Sequence, residues 1–100
     1  MGEYYILDGR KAVPATLEQW AVFFEKKDAR HVAKTDLGGV TVSTVFLGAN
    51  HQYGDGPPLL FETMVFGGPY DQWQDRCSTW DEAVAMHEKA VDFCKIGVEP

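Results

Sequence analysis

Apolar and polar positions alternate along several stretches of this chain and recur at helical spacing along two others, which sets the order of its elements. Tyr4 to Leu7, Asp8-Gly9 and then Arg10 to Val13 read as a short hairpin, because Asp-Gly adopts the positive φ values of a type I′ turn. Pro14 is expected to close that ribbon. Thr16 and Gln19 have capping-box spacing, and Leu17, Trp20, Ala21 and Phe24 follow at helical intervals. This predicts a helix from Leu17 to about Lys27, with Leu17, Trp20 and Phe24 as its core stripe.

His31 to Asp36 and Val40 to Leu47 read as strands joined through Leu37-Gly38-Gly39, a second hairpin. Neither face of the second strand is fully polar, so it is expected to be central: Val40, Val42, Thr44 and Phe46 share one face, Thr41, Ser43, Val45 and Leu47 the other. Farther on, Leu59, Phe61, Thr63 and Val65 alternate with Leu60, Glu62, Met64 and Phe66. After the turn Gly67-Gly68-Pro69-Tyr70, Gln72 to Cys77 is expected to return as a polar edge strand. Thr79 and Glu82 repeat the capping-box spacing before a helix running to about Ile96, with Trp80, Ala83, Val84, His87, Ala90, Val91 and Cys94 on one arc. The order predicts one α+β domain over residues 1–100, an antiparallel sheet with two helices packed on one face. The opposite face is then exposed or covered by a partner, a homodimer among the candidates.

Charge narrows the candidate partners. The net charge is −6, with six acidic and six basic side chains in residues 1–50 and nine against three in residues 51–100. An acidic half repels phosphate, which argues against nucleic acid and in favour of a basic protein partner. No apolar run approaches the roughly 20 residues that span a bilayer, and the start lacks a basic segment followed by an apolar core, so a cytoplasmic location is expected. Cys77 and Cys94 lack CxxC spacing and are expected to be free thiols, with no disulfide, zinc site or cofactor implied.

Candidate chemistry gathers around the eleven-residue connector from Gly48 to Pro58, which exceeds the usual two to five residues between paired strands and so reads as a site. Within it, His51 and Asp55 pair a potential base with a potential acceptor, and Tyr53 adds an aromatic recognition group. Glu62 follows among large apolar neighbours: burial would raise its pKa and suit it to proton transfer, whereas a place on the solvent-facing side of the sheet, or an Arg or Lys partner, would make it structural. His87, on the apolar arc of the last helix, is either a hydrogen-bonded core histidine or a binding group. Tyr70 and Trp73, beside turn segments, suggest a binding rim at one end of the sheet or ordinary packing. Gly54-x-Gly56-Pro57-Pro58 has neither Walker nor dinucleotide spacing, and no GxSxG surrounds Ser43, so nucleophilic catalysis is not indicated.

The phrases VSTVFLG, GDGPPLLFETMVFGG and STWDEA resemble those of a family of small proteins that recur in bacteriophages and prophages. The resemblance covers roughly Val40 to His87, with departures around Ala49 to Tyr53 and Asp71 to Cys77. It implies a setting inside the bacterial host cell and supplies no catalytic residues. The leading expectation is an accessory protein that acts by binding, modulating a bacterial host protein without catalysis. The alternative is a small enzyme or ligand-binding domain using the His51–Asp55 loop and Glu62.

Overall fold

The computed structural model describes residues 4–26, 28–50 and 54–96. Strands β1 (Tyr4–Asp8) and β2 (Lys11–Ala15) form a two-stranded antiparallel ribbon, and helix α1 (Leu17–Glu25) follows at once. Strands β3 (His31–Asp36), β4 (Thr41–Phe46), β5 (Phe61–Phe66) and β6 (Gln74–Cys77) form an antiparallel sheet in chain order. Helix α2 (Trp80–Ile96) closes the described chain. The architecture is α+β with antiparallel sheets, as the sequence pattern implies.

Two local details of the ribbon depart from expectation. Asp8 pairs with Lys11, so the turn is Gly9-Arg10 rather than Asp8-Gly9. Gly9 takes φ +65 and Arg10 stays outside the positive-φ region, so the glycine occupies the first central position as in a II′-type turn. Pro14 lies within β2, opposite Tyr5, rather than ending the ribbon. β2 is an edge strand, where a residue without an N–H costs no ladder hydrogen bond.

Helix α1 begins with the reciprocal cap read from sequence: Gln19 N donates to Thr16 Oγ1 at 3.1 Å, and Thr16 N donates to Gln19 Oε1 at 2.9 Å. The helix packs chiefly on β1 and β2, while α2 crosses all four strands of the larger sheet. Within the stripe expected for α1, Leu17 is exposed, and the second residue reaching the sheet is Phe23. Phe23 and Phe24 contact Phe46, with ring centroids 6.0 and 6.2 Å apart.

The core is layered between α2 and one sheet face. Alternation buries Val42, Thr44 and Phe46 on β4 and Phe61, Thr63 and Val65 on β5 against Ala83, Met86, His87, Ala90 and Phe93 of α2. The inward arc of α2 is therefore rotated from the expected one: Met86 and Phe93 are inside, and Val84 is exposed. A bulge in β3 between His31 and Ala33 turns Val32 toward the Phe46 cluster. The ribbon joins this layer where Tyr5 N donates to Gly48 O at 2.8 Å and Tyr4 bridges Ala49. The resulting body is 19 Å across its thinnest axis, about one sheet plus one helix layer deep.

Candidate functional site

The side of the larger sheet away from α2 carries no covering element among the described residues. Cross-strand register sorts it into three rows. Asp36, Thr41 and Phe66 form the first, with Thr41 Oγ1 donating to Asp36 Oδ1 at 2.8 Å. Lys34, Ser43, Met64 and Gln74 form the second, and His31, Val45, Glu62 and Arg76 the third. Phe66 is 44% exposed and stands beside a depression of about 380 Å³ lined by His31, Lys34, Thr41 and Ser43. The face therefore has an apolar line through Val45, Met64 and Phe66, bordered by Lys34 and Arg76 and by Asp36 and Glu62.

Glu62 belongs to this open face and not to a closed cavity. Arg76 Nε donates to Glu62 Oε2 at 3.0 Å, directly across β5 and β6, which settles the two readings of Glu62 in favour of a paired carboxylate. The connector expected to accompany it is placed differently. His51 and Tyr53 lie outside the described residues, and Asp55 is exposed between Gly54 and Gly56. The base of the connector is tied where Leu59 N donates to Asn50 Oδ1 at 3.2 Å. Pro57 and Pro58 then wall a cleft of about 660 Å³ together with Tyr5, Arg10, Leu60 and Trp80. In that cleft the Arg10 guanidinium carbon lies 5.9 Å from the Trp80 ring centroid. Glu62 does not line it.

His87 sits on the other side of the sheet, 6% exposed, at the centre of a hydroxyl network. Its Nε2 is 2.9 Å from Thr35 Oγ1, its Nδ1 is 2.8 Å from Thr44 Oγ1, and Thr44 Oγ1 is in turn 2.5 Å from Thr63 Oγ1. Burial holds the His87 pKa below the usual histidine value, with Glu88 pulling weakly in the other direction. A neutral imidazole donates from one nitrogen and accepts at the other, so both ring nitrogens are engaged by threonine hydroxyls. The network pins α2 to β3, β4 and β5.

Tyr70 and Trp73 do not stand apart as a rim. Both meet Phe93 edge to face, at centroid distances of 5.0 and 4.9 Å, and both pack on the Val42–Val65 cluster. The turn that brings them there is braced by Gly67 N donating to Asp71 Oδ1 at 2.6 Å. Cys77 and Cys94 are free thiols. Burial, with Glu82 and Asp75 adding repulsion, pushes Cys77 up to about 11, and burial raises Cys94, so both are held away from the thiolate form. Among the described residues, no three His, Cys, Asp or Glu side chains are gathered so as to hold a metal ion. Nor is any described helix long and apolar enough to cross a membrane.

Three features escaped the sequence pattern. Thr35, Thr44 and Thr63 sit at inward strand positions, but threonine is neutral in an alternation count, and His87, which Thr35 and Thr44 meet directly and Thr63 only through Thr44, is 52, 43 and 24 residues away along the chain. The cleft under Pro57-Pro58 and the depression beside Phe66 each join segments distant in sequence. No family model matches the chain, and neither a curated protein nor a solved structure matches it.

Proposed function

We propose that this protein acts by binding rather than catalysis, as a phage- or prophage-type accessory protein that docks a bacterial host protein on the open face of its larger sheet. The observation that carries this reading is the uncovered line of Val45, Met64 and Phe66, flanked by charges of both signs. Exposed apolar area with a polar border is where protein interfaces bury their centres. Of the charged groups on this face, Lys34 and Arg76 offset Asp36 and Glu62, so the excess of −6 belongs to the rest of the chain. The partner surface that fits is apolar at its centre with basic flanks, which the acidic remainder steers toward the sheet. The test is Phe66→Asp and Met64→Lys, compared with Val22→Asp on the exposed side of α1. A host protein retained by the wild type and by Val22→Asp, and lost by both sheet-face variants with unchanged circular dichroism, is the expected result. Equal capture by all four proteins overturns the reading.

A second reading, a small-ligand site, rests on the cleft of about 660 Å³ beneath Pro57 and Pro58, whose size lies within the range of small-molecule sites. Ligand-dependent quenching of fluorescence, absent in Trp80→Phe, is the result that would favour it.

A further inference from the structure

We propose that the open face of the larger sheet pairs weakly with a second copy of this chain as concentration rises, so that self-association and host binding compete for one surface. This inference rests on the binding reading above and concerns its regulation.

Three observations point to a second copy as occupant. The first is charge. Two chains of net charge −6 repel each other over most approaches, yet Lys34, Arg76, Asp36 and Glu62 leave the open face neutral, so copies meet there with least repulsion. The second is shape. The half-exposed Phe66 ring forms one wall of the depression that His31, Lys34, Thr41 and Ser43 also line, a projection bordering a hollow. In a two-fold contact the projection of each copy enters the hollow of the other, and both fit at once. The third is composition: the face offers both signs of charge beside apolar Val45 and Met64, so a two-fold contact can set cations of one copy against anions of the other.

Area sets the strength. Three strands of six residues and β6 of four, spaced about 4.8 Å apart with about 3.3 Å per residue, span roughly 350 Å² in the plane. That is about half of the roughly 800 Å² per partner buried in a standard stable complex. The pairing is therefore weak and concentration-dependent, as a resting state must be if a host protein is to displace it.

Sedimentation equilibrium from about 20 μM to about 1 mM reads this directly. The expected result is an apparent mass that rises from one copy toward twice that value for wild type and Val22→Asp. Phe66→Asp stays at the mass of one copy over the whole range. Ser43→Arg, which fills the hollow and sets like charges against each other, also stays monomeric and serves if Phe66→Asp fails to fold. A wild type that remains monomeric at about 1 mM, or variants that associate as it does, overturns the proposal. Capture of the host protein by a monomeric wild type, lost in Phe66→Asp, would leave the binding reading standing while the dimer falls. Association lost in Phe66→Asp with host capture unchanged would do the reverse.

Discussion

His87 Nδ1 lies 2.8 Å from the Thr44 hydroxyl, which ties the middle of α2 to the middle of a central strand across an otherwise apolar core. Thr44 also meets Thr63 at 2.5 Å, so one buried hydroxyl serves two partners. Thr44→Val keeps the shape and removes that hydroxyl. It leaves His87 Nδ1 and Thr63 Oγ1 without their partner, and a buried polar group left unpaired costs about 1–3 kcal/mol. Urea unfolding should show a loss in that range. Adding Thr63→Val should cost less than Thr63→Val does alone, because the residues share one network. Simple additivity would show that the hydroxyls act independently.

The same histidine should make the fold acid-sensitive. Its folded-state pKa is held below 6.5, first by burial, with the Glu88 charge opposing. As pH falls below about 6.5 the unfolded chain takes up this proton before the native state does, so native stability declines. The contribution is complete above pH 6.5 and is lost as pH descends through the lowered folded value. Glu88 and Asp92 share the shallow opening beside Thr35 and His87, and the Glu88 charge acts on that proton. Melting temperatures between pH 8 and pH 5 should drop more steeply in wild type than in His87→Gln. Parallel profiles would place the acid sensitivity elsewhere.

How far the sequence carried follows from what kind of information each feature needs. Strand limits fell within one or two residues, because alternation such as Val42, Thr44 and Phe46 against Ser43 and Val45 is local. The capping boxes at Thr16 and Thr79 were legible for the same reason, each closing over three residues. The ribbon turn slipped by one residue because Asp-Gly and Gly-Arg both supply a glycine to a tight turn, and only cross-strand register decides between them. The arc of α2 is offset from the expected one because Phe93, at its edge, wins its place by filling space beside Tyr70 and Trp73, and Met86 is buried on the same side. For the site, Glu62 was found but its partner Arg76 was not, since the pairing depends on β5 and β6 meeting in one register. That one face is left open follows from packing both helices on the other, but which face it is depends on the side α2 covers, a tertiary fact with no local signature.

Gly48 marks where the connector leaves β4 and the ribbon attaches. It has φ +75, and a Cβ built there would come within 2.7 Å of Trp20 Nε1 and closer still to the Phe24 ring. Left-handed backbone and a ring clash act together, so Gly48→Ala should destabilise by more than about 2 kcal/mol. The loss should separate α1 and the ribbon from the sheet first, seen as early hydrogen exchange at Tyr5, whose amide bonds to Gly48 O. A variant as stable as wild type would mean that Phe24 has room to retreat.

Cys77 offers a check on the interior at the start of α2. A thiol raised to about 11 from 9.0 is about a hundredfold poorer in thiolate at pH 8. In a Cys94→Ser background, iodoacetamide should modify Cys77 about a hundred times more slowly in the native protein than in urea, with rates rising toward pH 11. Because Glu82 contributes to the shift by its charge, Glu82→Gln should speed the reaction while weakening the cap it makes with Ser78 and Thr79. Native and unfolded rates that match would place the thiol in open solvent.

The Glu62–Arg76 pair separates structure from binding on the open face. The carboxylate keeps 17% of its side-chain surface and the guanidinium 35%, so solvent screens the attraction and the pair contributes under about 1 kcal/mol. Glu62→Gln and Arg76→Gln should each change stability by less than that, and their double-mutant coupling should shrink in high salt. Their effect on host binding should be larger and of opposite sign. Glu62→Gln leaves Arg76 as an unpaired cation and weakens attraction to a partner with basic flanks, whereas Arg76→Gln frees the Glu62 carboxylate and strengthens it. Binding that falls equally in both variants would mean that the partner reads the bridged pair as a unit. Binding unchanged in both would move the contact toward the Phe66 end of the sheet, where Asp36 and Thr41 form the neighbouring row.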